Sequence, residues 1–237
     1  MGNSISCIIG AYNEEEMISD AVEECVNVLS EDFNEYEIIL VDDGSADRTG
    51  EIMDALAISN PNIKVIHNLI NLNFGASVLR GLVEAKNELV TYNAADLPLN
   101  PSLLKSLTEC MGEADVLVIE RMNYDCTFWR KLTSMMNRLL LFILFPFATR
   151  GTPILNFTQI FKREILNKIM PLARSPIFVW PELVFRAKFA GLEVRNEKAP
   201  TRIKNNVRKG AFGKPHDIIW GITDMLRFRF RVWIKKY

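Results

Sequence analysis

The sequence lacks several features that mark other classes of protein. Its four cysteines form no CxxC pair and have no histidine at metal-ligand spacing, so they predict buried, reduced thiols in a cytoplasmic chain rather than a zinc site or disulfides. The longest uncharged apolar run, residues 139–148, falls well short of the roughly 20 residues that a membrane-spanning helix needs. The first residues contain no basic region followed by a long apolar stretch, which argues against a cleaved signal peptide.

The chain does have enough apolar residues to build a large core. Of its 237 residues 49% are hydrophobic, and no linker rich in Pro, Gly or Ser divides them. We therefore predict one main domain at 1–214, followed by a basic amphipathic segment at 215–237. The formal net charge of −1 gives no overall reason to expect a nucleic-acid partner. Any site for an anionic ligand must be built locally.

Short β-branched runs alternate with segments of helical period through the first half. Strands buried on both faces are predicted at 5–10, 37–42, 63–67, 88–93 and 115–119. Helices are predicted between them at 14–30, 48–59, 75–86 and 101–111. The second half is less regular, with predicted helices near 128–147, 163–170 and 180–190 and predicted strands near 156–162 and 192–197. This order predicts an α/β fold with a mostly parallel sheet, whose ligands bind in the loops after the strands.

The loop after the second strand, VDDGSADRTG at 41–50, is the strongest single signal. Gly44 allows a tight turn, and Asp47 with Thr49 can cap the next helix. Turn and cap chemistry does not explain Asp42 and Asp43, because adjacent acids at a strand end repel each other unless a ligand or a donor satisfies them. A bound nucleotide would do so through its base NH groups and ribose hydroxyls.

Four motifs follow one another along the chain: GAYNEEEMI (10–18), VDDGSADRT (41–49), NLNFGASVLRGLVEA (71–85) and DLPLNP (96–101). In this order they resemble the family-2 glycosyltransferases with the GT-A fold, in particular the branch of dolichyl-phosphate mannose synthase and bacterial polyprenyl-phosphate sugar transferases. The match runs from about Ile5 to about Lys214.

The resemblance implies roles for residues in the first three motifs. It implies that Ala11, Tyr12 and Glu14 line a nucleotide pocket. It also implies that Asp42 or Asp43 holds the base. Gly75 and Arg80 are expected near the diphosphate, where a glycine lets the backbone approach closely. The alternative for Asn73 to Gly75 is a plain helix start with Asn as its cap.

The loop after the fourth strand departs from the family pattern. The family has Asp-X-Asp there, holding a divalent cation that bridges the donor's two phosphates, whereas this chain has Ala94, Ala95 and Asp96, followed by Pro98 where the family often has Gln. Three interpretations stay open. Asp96, with the diphosphate and Asn93, still binds Mg²⁺ or Mn²⁺; cationic side chains replace the metal; or the chain is an inactive relative.

The segment after the fifth strand resembles the acceptor side of the lipid-phosphate branch. Arg121 follows that strand, and Arg130, Ser134 and Asn137 fit an Arg-X-X-X-Ser-X-X-Asn pattern on one helix face, which the resemblance assigns to the acceptor phosphate. The alternative is a solvated polar face. A phosphate is already ionised at neutral pH, so it needs no general base. The acid nearby, Glu182, is expected to position a cation or the sugar, or to cap its helix.

Two basic segments complete the candidate site. The resemblance implies that the stretch at 202–215 closes over the diphosphate, with Arg208, Lys209 and Lys214 as the candidates; the alternative is a solvated connection. The C-terminal LRFRFRVWIKKY and the apolar residues 135–147 predict contact with the membrane surface. The alternatives are packing within the domain, a dimer interface, a membrane-subunit partner, or strand pairing or nucleic-acid binding by the tail.

Together these expectations predict an inverting glycosyltransferase at the cytoplasmic face of a membrane. It would move a sugar from a UDP- or GDP-linked donor to a polyprenyl- or dolichyl-phosphate acceptor. Two alternatives remain: a transferase acting on a saccharide hydroxyl of a cell-surface polysaccharide, with Glu182 as its base, or a nucleotide-binding relative weakened by the loss of the metal motif. His67 and His216 are expected to be structural or on the surface.

Overall fold

The computed structural model describes residues 4–122, 128–152, 158–173, 175, 177–200, 202 and 215–234, and the side chains of all of these except 128–130 and 215–217. The strands are β1 (Ser4–Ala11), β2 (Glu35–Asp42), β3 (Ile63–His67), β4 (Leu89–Ala94), β5 (Val116–Arg121), β6 (Gln159–Lys162) and β7 (Val194–Ala199). The helices are α1 (Ile18–Asp32), α2 (Thr49–Ser59), α3 (Phe74–Glu84), α4 (Leu104–Met111), α5 (Phe128–Leu144), α6 (Leu166–Ile169), α7 (Val179–Phe189) and α8 (Pro215–Trp233).

Within this part of the chain the strands form one seven-stranded sheet in the order β3-β2-β1-β4-β6-β5-β7. β1 pairs in parallel with both β2 and β4, and β2 pairs in parallel with β3. β6 is antiparallel to β4 and β5, and β7 is parallel to β5. The carboxyl ends of β3, β2, β1 and β4 therefore lie side by side, with the strand order reversing between β1 and β4. Ligands bind at such a reversal in open α/β sheets.

The inner strands of the sheet are buried on both faces, because helices pack on either side and successive side chains of a strand point to opposite sides. In β1, Ile8 joins a core with α3, α5, α7 and α8, while Cys7 and Ile9 join a second core with α1, α2 and α4. The predicted burial on both faces therefore holds for β1, β4 and most of β5, but is wrong for the edge strand β3, which is only partly buried. The predicted α/β fold, with a mostly parallel sheet, is confirmed.

The second half differs from the prediction in its boundaries. The predicted helix at 163–170 is a short 3-10 turn followed by the four-residue α6, and α5 ends at Leu144 instead of 147. The last strand starts at Val194 rather than 192, and the first residues of the strand predicted at 156–162 lie outside the described part of the chain. Here the apolar runs are short, so periodicity fixes their ends poorly.

The C-terminal segment is a helix packed against the main domain. On α8, Met225 and Phe228 are buried, and the Phe228 ring lies 5.6 Å from that of Phe145 and 5.8 Å from that of Phe178, measured between centroids. None of the described helices is both long and apolar enough to cross a membrane.

The cysteines follow the prediction in part. Cys7 and Cys25 are free and buried, as expected, but Cys110 is exposed, because its side chain lies off the apolar stripe of α4. Cys126 lies outside the described residues.

Candidate functional site

Hydrogen bonds join the loops after β1 and β2 into one frame. The Asn13 amide donates to Ser45 Oγ at 3.0 Å, and Asn13 Oδ1 accepts from the Ala46 amide at 2.8 Å. The Glu14 amide donates to Thr49 Oγ1 at 2.8 Å. Asn13 has φ 54, a left-handed conformation that Asn tolerates better than most residues. The two loops are therefore held in place without a ligand.

Asp47 supports the same frame. Its Oδ1 accepts from the Thr49 amide at 3.0 Å at the start of α2, and its Oδ2 accepts from the Glu15 amide at 3.3 Å. The N-cap residue of α2 is Arg48, which makes no side-chain cap bond, so Asp47 acts from the position before the cap. Desolvation is the largest influence on the pKa of Asp47 and raises it, but hydrogen bonds from the Thr49 hydroxyl and from the amides of Thr49 and Glu15 hold the pKa below its usual value. Thr49 does not cap α2 with its side chain, because its hydroxyl binds Asp47 and Glu14 instead.

Asp42 is buried at the end of β2 and both of its oxygens have protein partners. Oδ1 accepts from the Ser45 amide at 2.9 Å, and Oδ2 lies 3.1 Å from His67 Nδ1. The other ring nitrogen of His67 lies 3.0 Å from Asp54 Oδ1. Hydrogen bonds to Asp42 and then to Asp54 raise the pKa of His67, while desolvation opposes them. Asp42 and His67 are neighbours in the parallel register of β2 and β3, which brings their side chains together.

Asp43 is satisfied from the loop after β3. Its Oδ1 accepts from Asn68 Nδ2 at 3.0 Å and from the Leu72 amide at 2.7 Å. The adjacent acids therefore diverge, Asp42 towards His67 and Asp43 towards Asn68. Of the two ways to satisfy the adjacent acids, a ligand or a donor, the structure shows donors within the chain.

Tyr12 is an exposed aromatic side chain of this frame. It follows Ala11, which is buried and pairs with Asp42 in the register of β1 and β2, and its side chain is 45% exposed. A large aromatic side chain open to solvent beside buried acids suits the stacking of a planar base. Glu14, two residues on, is half-buried.

Gly75 and Arg80 have local roles that the sequence did not indicate. A Cβ added at Gly75 would lie 3.3 Å from Val179 Cγ1, so the missing side chain lets α3 pack closely against α7. Arg80 donates to the carbonyl oxygen of His67 at 3.2 Å and to Asn68 Oδ1. Asn73 precedes α3 but makes no side-chain cap bond, so the helix-cap alternative is wrong in this detail.

The loop after β4 is shaped by Asn93. This buried side chain donates to the Leu99 carbonyl at 2.8 Å, and its oxygen accepts from the Leu99 amide at 3.5 Å. Asn93 is thus committed to holding the loop, which corrects its expected role as a metal ligand. Leu97 takes a left-handed φ of 44, Ala95 is buried and Asp96 is exposed.

A metal site must rely on few protein ligands here. The described residues contain no group of three or more His, Cys, Asp or Glu side chains that could hold an ion. Asp96 offers one exposed carboxylate, which fits Mg²⁺ or Mn²⁺ bound chiefly by phosphate oxygens and water.

Glu182 is a buried structural acid. It is 1% exposed, and its Oε1 accepts from Arg186 Nε at 2.7 Å and from the Leu172 amide at 3.1 Å. Its Oε2 accepts from the Ala173 amide at 2.7 Å. The expectation that Glu182 caps its own helix is wrong, because the amides that it accepts from, those of Leu172 and Ala173, lie in the segment before α7. The cation that Glu182 positions is Arg186, which also lies 5.3 Å from the centre of the Phe228 ring.

The residues predicted for an acceptor are only partly described. Arg121 ends β5, half-buried, and its charge acts on the fully buried Tyr92, whose pKa is raised by burial and lowered less strongly by Arg121. Tyr92 stacks on Trp180 with 4.2 Å between ring centroids. Ser134 is half-buried on α5. The side chain of Arg130 and all of Arg208, Lys209 and Lys214 lie outside the described residues.

Arg202 fixes the start of the basic segment. Its amide donates to the Pro98 carbonyl at 3.0 Å, and its guanidinium binds Glu24 on α1 and, at 3.0 Å, Asn100 Oδ1. Residue 202 is thereby held against the loop that carries Asp96. The sequence gives no sign of this role, because Glu24 and Asn100 lie far from Arg202 along the chain.

Two adjacent helices present apolar side chains to solvent. Leu141 and Phe145 face the core, so the apolar run of α5 is buried along one side only. The exposed apolar residues of α5, α8 and their ends are Met135, Met136, Leu139, Phe142, Ile143, Phe147, Ile218, Ile219, Trp220, Ile222, Leu226, Phe230, Trp233 and Ile234.

Residues 6–170 match the family model described as Glycosyl transferase family 2. Over 134 residues the chain is 34% identical to undecaprenyl-phosphate 4-deoxy-4-formamido-L-arabinose transferase of Pectobacterium carotovorum subsp. carotovorum (strain PC1), covering 55% of this chain and 41% of that protein. Over 127 residues it is 31% identical to glycosyltransferase GlyG of Streptococcus pneumoniae serotype 4 (strain ATCC BAA-334 / TIGR4), covering 53% of this chain and 41% of GlyG. The match thus spans less than half the length of either relative.

A solved structure has the same fold over nearly the whole chain. It is glucosyl-3-phosphoglycerate synthase from Mycobacterium tuberculosis in complex with Mn²⁺, UDP and glucosyl-3-phosphoglycerate, with a TM-score of 0.67 and 19% identity. The match covers 95% of this chain and 79% of that one. At this identity the likeness establishes the GT-A fold.

Proposed function

The chain belongs to glycosyl transferase family 2, and from this we propose that it is an inverting enzyme that transfers a sugar from a nucleotide donor to a polyprenyl-phosphate-type acceptor. The observation that carries the proposal is the frame of the loops after β1 and β2, where the exposed Tyr12 lies beside the buried Asp42 and Asp43. The Pectobacterium relative is named for transfer involving undecaprenyl phosphate, and the Mycobacterium structure contains UDP.

The donor's base is proposed to stack on Tyr12, with Ala11 and Glu14 lining the pocket. Asp43 suits contact with the base better than Asp42, because both oxygens of Asp42 are engaged by Ser45 and His67, whereas the bonds to Asp43 fall on Oδ1. The diphosphate would then lie towards the loop after β4.

At the diphosphate we propose that the backbone of Ala95 and the carboxylate of Asp96 face the phosphates, and that Asp96 holds Mg²⁺ or Mn²⁺ when an ion is present. Such an ion would neutralise charge on the departing diphosphate. Arg80 lies on α3 and was expected near the diphosphate. Its hydrogen bonds to Asn68 and to the His67 carbonyl indicate instead that it supports the loop after β3. Gly75 contributes by letting α3 pack against α7.

Cationic groups are proposed to meet the two phosphates from the other side. Arg208, Lys209 and Lys214 follow Arg202, which is tied to the loop of Asp96, so this basic segment starts next to the proposed diphosphate position. Its charges would stabilise the leaving nucleoside diphosphate as the bond to the sugar breaks.

The acceptor is proposed to be a lipid phosphate bound by Arg121, Arg130 and Ser134. An ionised phosphate oxygen attacks the anomeric carbon, the bond from that carbon to the diphosphate breaks, and the electron pair leaves on the diphosphate. No proton has to be removed, so no general base is needed. The burial and full hydrogen bonding of Glu182 agree with this, since a base for a saccharide hydroxyl would need to reach its substrate.

A lipid acceptor requires the enzyme to meet a membrane. We propose that the exposed apolar sides of α5 and of α8, the helix of the C-terminal segment 215–237, do so at the cytoplasmic face. Arg227, Arg229 and Arg231 on α8 supply positive charge beside these apolar residues, at about 1 kcal/mol per basic group near an anionic surface. Binding to vesicles of anionic lipid, weakened by salt and by Phe230→Glu with Trp233→Glu, is the expected result. Equal binding to neutral vesicles would contradict the proposal that the basic residues of α8 face an anionic membrane surface.

The experiment that tests the function has two stages. Calorimetry with UDP, GDP and their sugars, with and without Mn²⁺, identifies the donor. Transfer of labelled sugar to a polyprenyl phosphate is then compared with transfer to the corresponding unphosphorylated polyprenol. We expect product only from the phosphate, and loss of donor binding in Tyr12→Ala. Transfer to the alcohol instead would defeat the proposal.

A catalytically weakened nucleotide-binding protein is the second candidate, favoured by Ala94 and Ala95 in place of a metal-binding acid. Nucleotide binding with no turnover, with any sugar and either ion, would establish it over the transferase.

A further inference from the structure

The imidazole of His67 lies between two carboxylates. Its Nδ1 is 3.1 Å from Asp42 Oδ2 on β2, and its Nε2 is 3.0 Å from Asp54 Oδ1 on α2. An ionised carboxylate can only accept hydrogen bonds, and a neutral imidazole has a single N–H. Both contacts are hydrogen bonds only when both ring nitrogens carry protons. The geometry therefore favours the imidazolium, since a neutral ring leaves one of the two contacts without a proton.

The charges around the ring favour the same state. Asp42 faces it from β2 and Asp54 from α2, while Arg80 on α3 binds the carbonyl oxygen of His67 through its guanidinium. The hydrogen bonds to the two acids raise the pKa of His67 above its ordinary 6.5. Two carboxylates therefore contact the ring itself and favour its charged form. The one cation nearby, Arg80, contacts the backbone of His67 instead of the ring.

Gly50 independently indicates that the contact between Asp42 and His67 is part of the fold. A Cβ at this position in the first turn of α2 would lie 2.9 Å from Asp42 Oδ2 and 3.4 Å from His67 Cε1. Glycine is the least favourable residue in a helix apart from proline. Its presence here leaves room for the Asp42–His67 contact, and Asp54 follows on the same helix face one turn later.

The bridge continues into the frame of the candidate donor site. Asp42 Oδ1 accepts from the Ser45 amide at 2.9 Å, and Ser45 Oγ accepts from the Asn13 amide at 3.0 Å, next to Tyr12. A continuous line of hydrogen bonds therefore leads from Asp54 through His67 and Asp42 to the loop after β1.

We propose that His67 is a positioning residue of the donor site: as an imidazolium it ties Asp42 to α2 and so fixes the frame that binds the nucleoside diphosphate. The inference rests on the proposed donor site. When His67 loses a proton, one ring nitrogen presents a lone pair to a carboxylate, and the hydrogen bond there is lost. Asp42 is then no longer tied to α2 through the ring. Because the pKa of the folded state is raised, the bridge is complete at low pH and is lost as the pH rises through that value. Donor affinity falls over the same range.

The test measures two quantities on the full chain. Proton NMR gives the pKa of His67, with its resonance assigned by absence from His67→Gln. Calorimetry gives the affinity for UDP and GDP from pH 5.5 to 9. We expect a pKa above 6.5 that falls in Asp54→Asn, and an affinity that drops about tenfold across the range. His67→Gln should bind weakly and equally at every pH. His216→Gln, which changes the other histidine of the chain, serves as the matched control and should keep the wild-type profile.

The outcomes separate this inference from the proposed function. A His67 pKa at or below 6.5, or a nucleotide affinity that His67→Gln and wild type share at every pH, would overturn the inference and leave the donor site standing. Failure of every nucleotide to bind at any pH would overturn the proposed function, and the positioning role with it. Gly50→Ala, which forces the pair apart, should weaken nucleotide binding without abolishing folding; unchanged affinity would also overturn the inference.

Discussion

Glu182→Ala should destabilise the protein severely. Glu182 is 1% exposed and Arg186 is 8% exposed, so the substitution leaves a buried guanidinium without its carboxylate. Breaking such a pair by removing one partner costs about 3–5 kcal/mol. The amides of Leu172 and Ala173 lose their acceptor as well, which adds to the loss. Because folded domains are stable by only about 5–15 kcal/mol, this change alone brings the protein close to unfolding.

Urea unfolding followed by circular dichroism measures the effect. With a slope of about 2–3 kcal/mol per molar urea, a loss of ~3 kcal/mol lowers the midpoint by roughly 1–1.5 M. Glu51→Ala is the matched control, because Glu51 pairs with Arg48 while both side chains are 76% exposed. Such a surface pair contributes at most about 1 kcal/mol. The double change of Glu182 and Arg186 to Met should recover part of the loss, since no unpaired charge remains.

The opposite outcome would refute the reasoning. If Glu182→Ala keeps the wild-type midpoint but loses turnover, then the carboxylate acts on substrate rather than on Arg186. Transfer to a saccharide hydroxyl, with Glu182 as base, would then become the better account.

Three further changes test other parts of the structure. Tyr92→Phe should be neutral or stabilising by about 1 kcal/mol in urea unfolding, because the Tyr92 hydroxyl is buried without a hydrogen-bond partner among the described residues; a clear loss of stability would contradict this. Gly44→Ala should lower the urea midpoint by an amount equivalent to about 1–3 kcal/mol, because Gly44 has φ +72 and a Cβ there would lie 2.6 Å from the Ile70 carbonyl carbon; an unchanged midpoint would exclude this turn geometry. Ala94→Asp should raise Mn²⁺ affinity in the presence of the nucleotide, and no change in calorimetry would show that Asp96 does not face the diphosphate.

The regular part of the fold could be predicted because its signals are local. The run ISCIIG is β-branched and doubly buried, and it became β1 within one residue at each end. The short elements after residue 150 could not be delimited in the same way, because α6 has four residues and β6 has four. Their ends depend on which neighbours they pack against, and a single sequence does not state those contacts.

The position of the candidate site could be predicted from the sequence, but the hydrogen-bond partners of its side chains could not. Parallel strands end at one edge, so the loops after β1, β2 and β4 were expected together. That Asp42 binds His67 depends on the register between β2 and β3, and that Asn93 holds Leu99 depends on a turn with Leu97 in a left-handed conformation. These partners lie on different elements, so neither residue type nor spacing revealed that they already had hydrogen bonds.

The place of β1 in the middle of the sheet bears on how the protein is made. β1 is synthesised before its partner β4, which ends at Ala94, more than eighty residues after β1. Until then one edge of a mostly apolar strand stays unpaired, and such edges promote aggregation during synthesis. Slowing translation shortly after residue 94, or supplying a chaperone until then, should therefore raise the yield of soluble chain more than any change nearer the C-terminus.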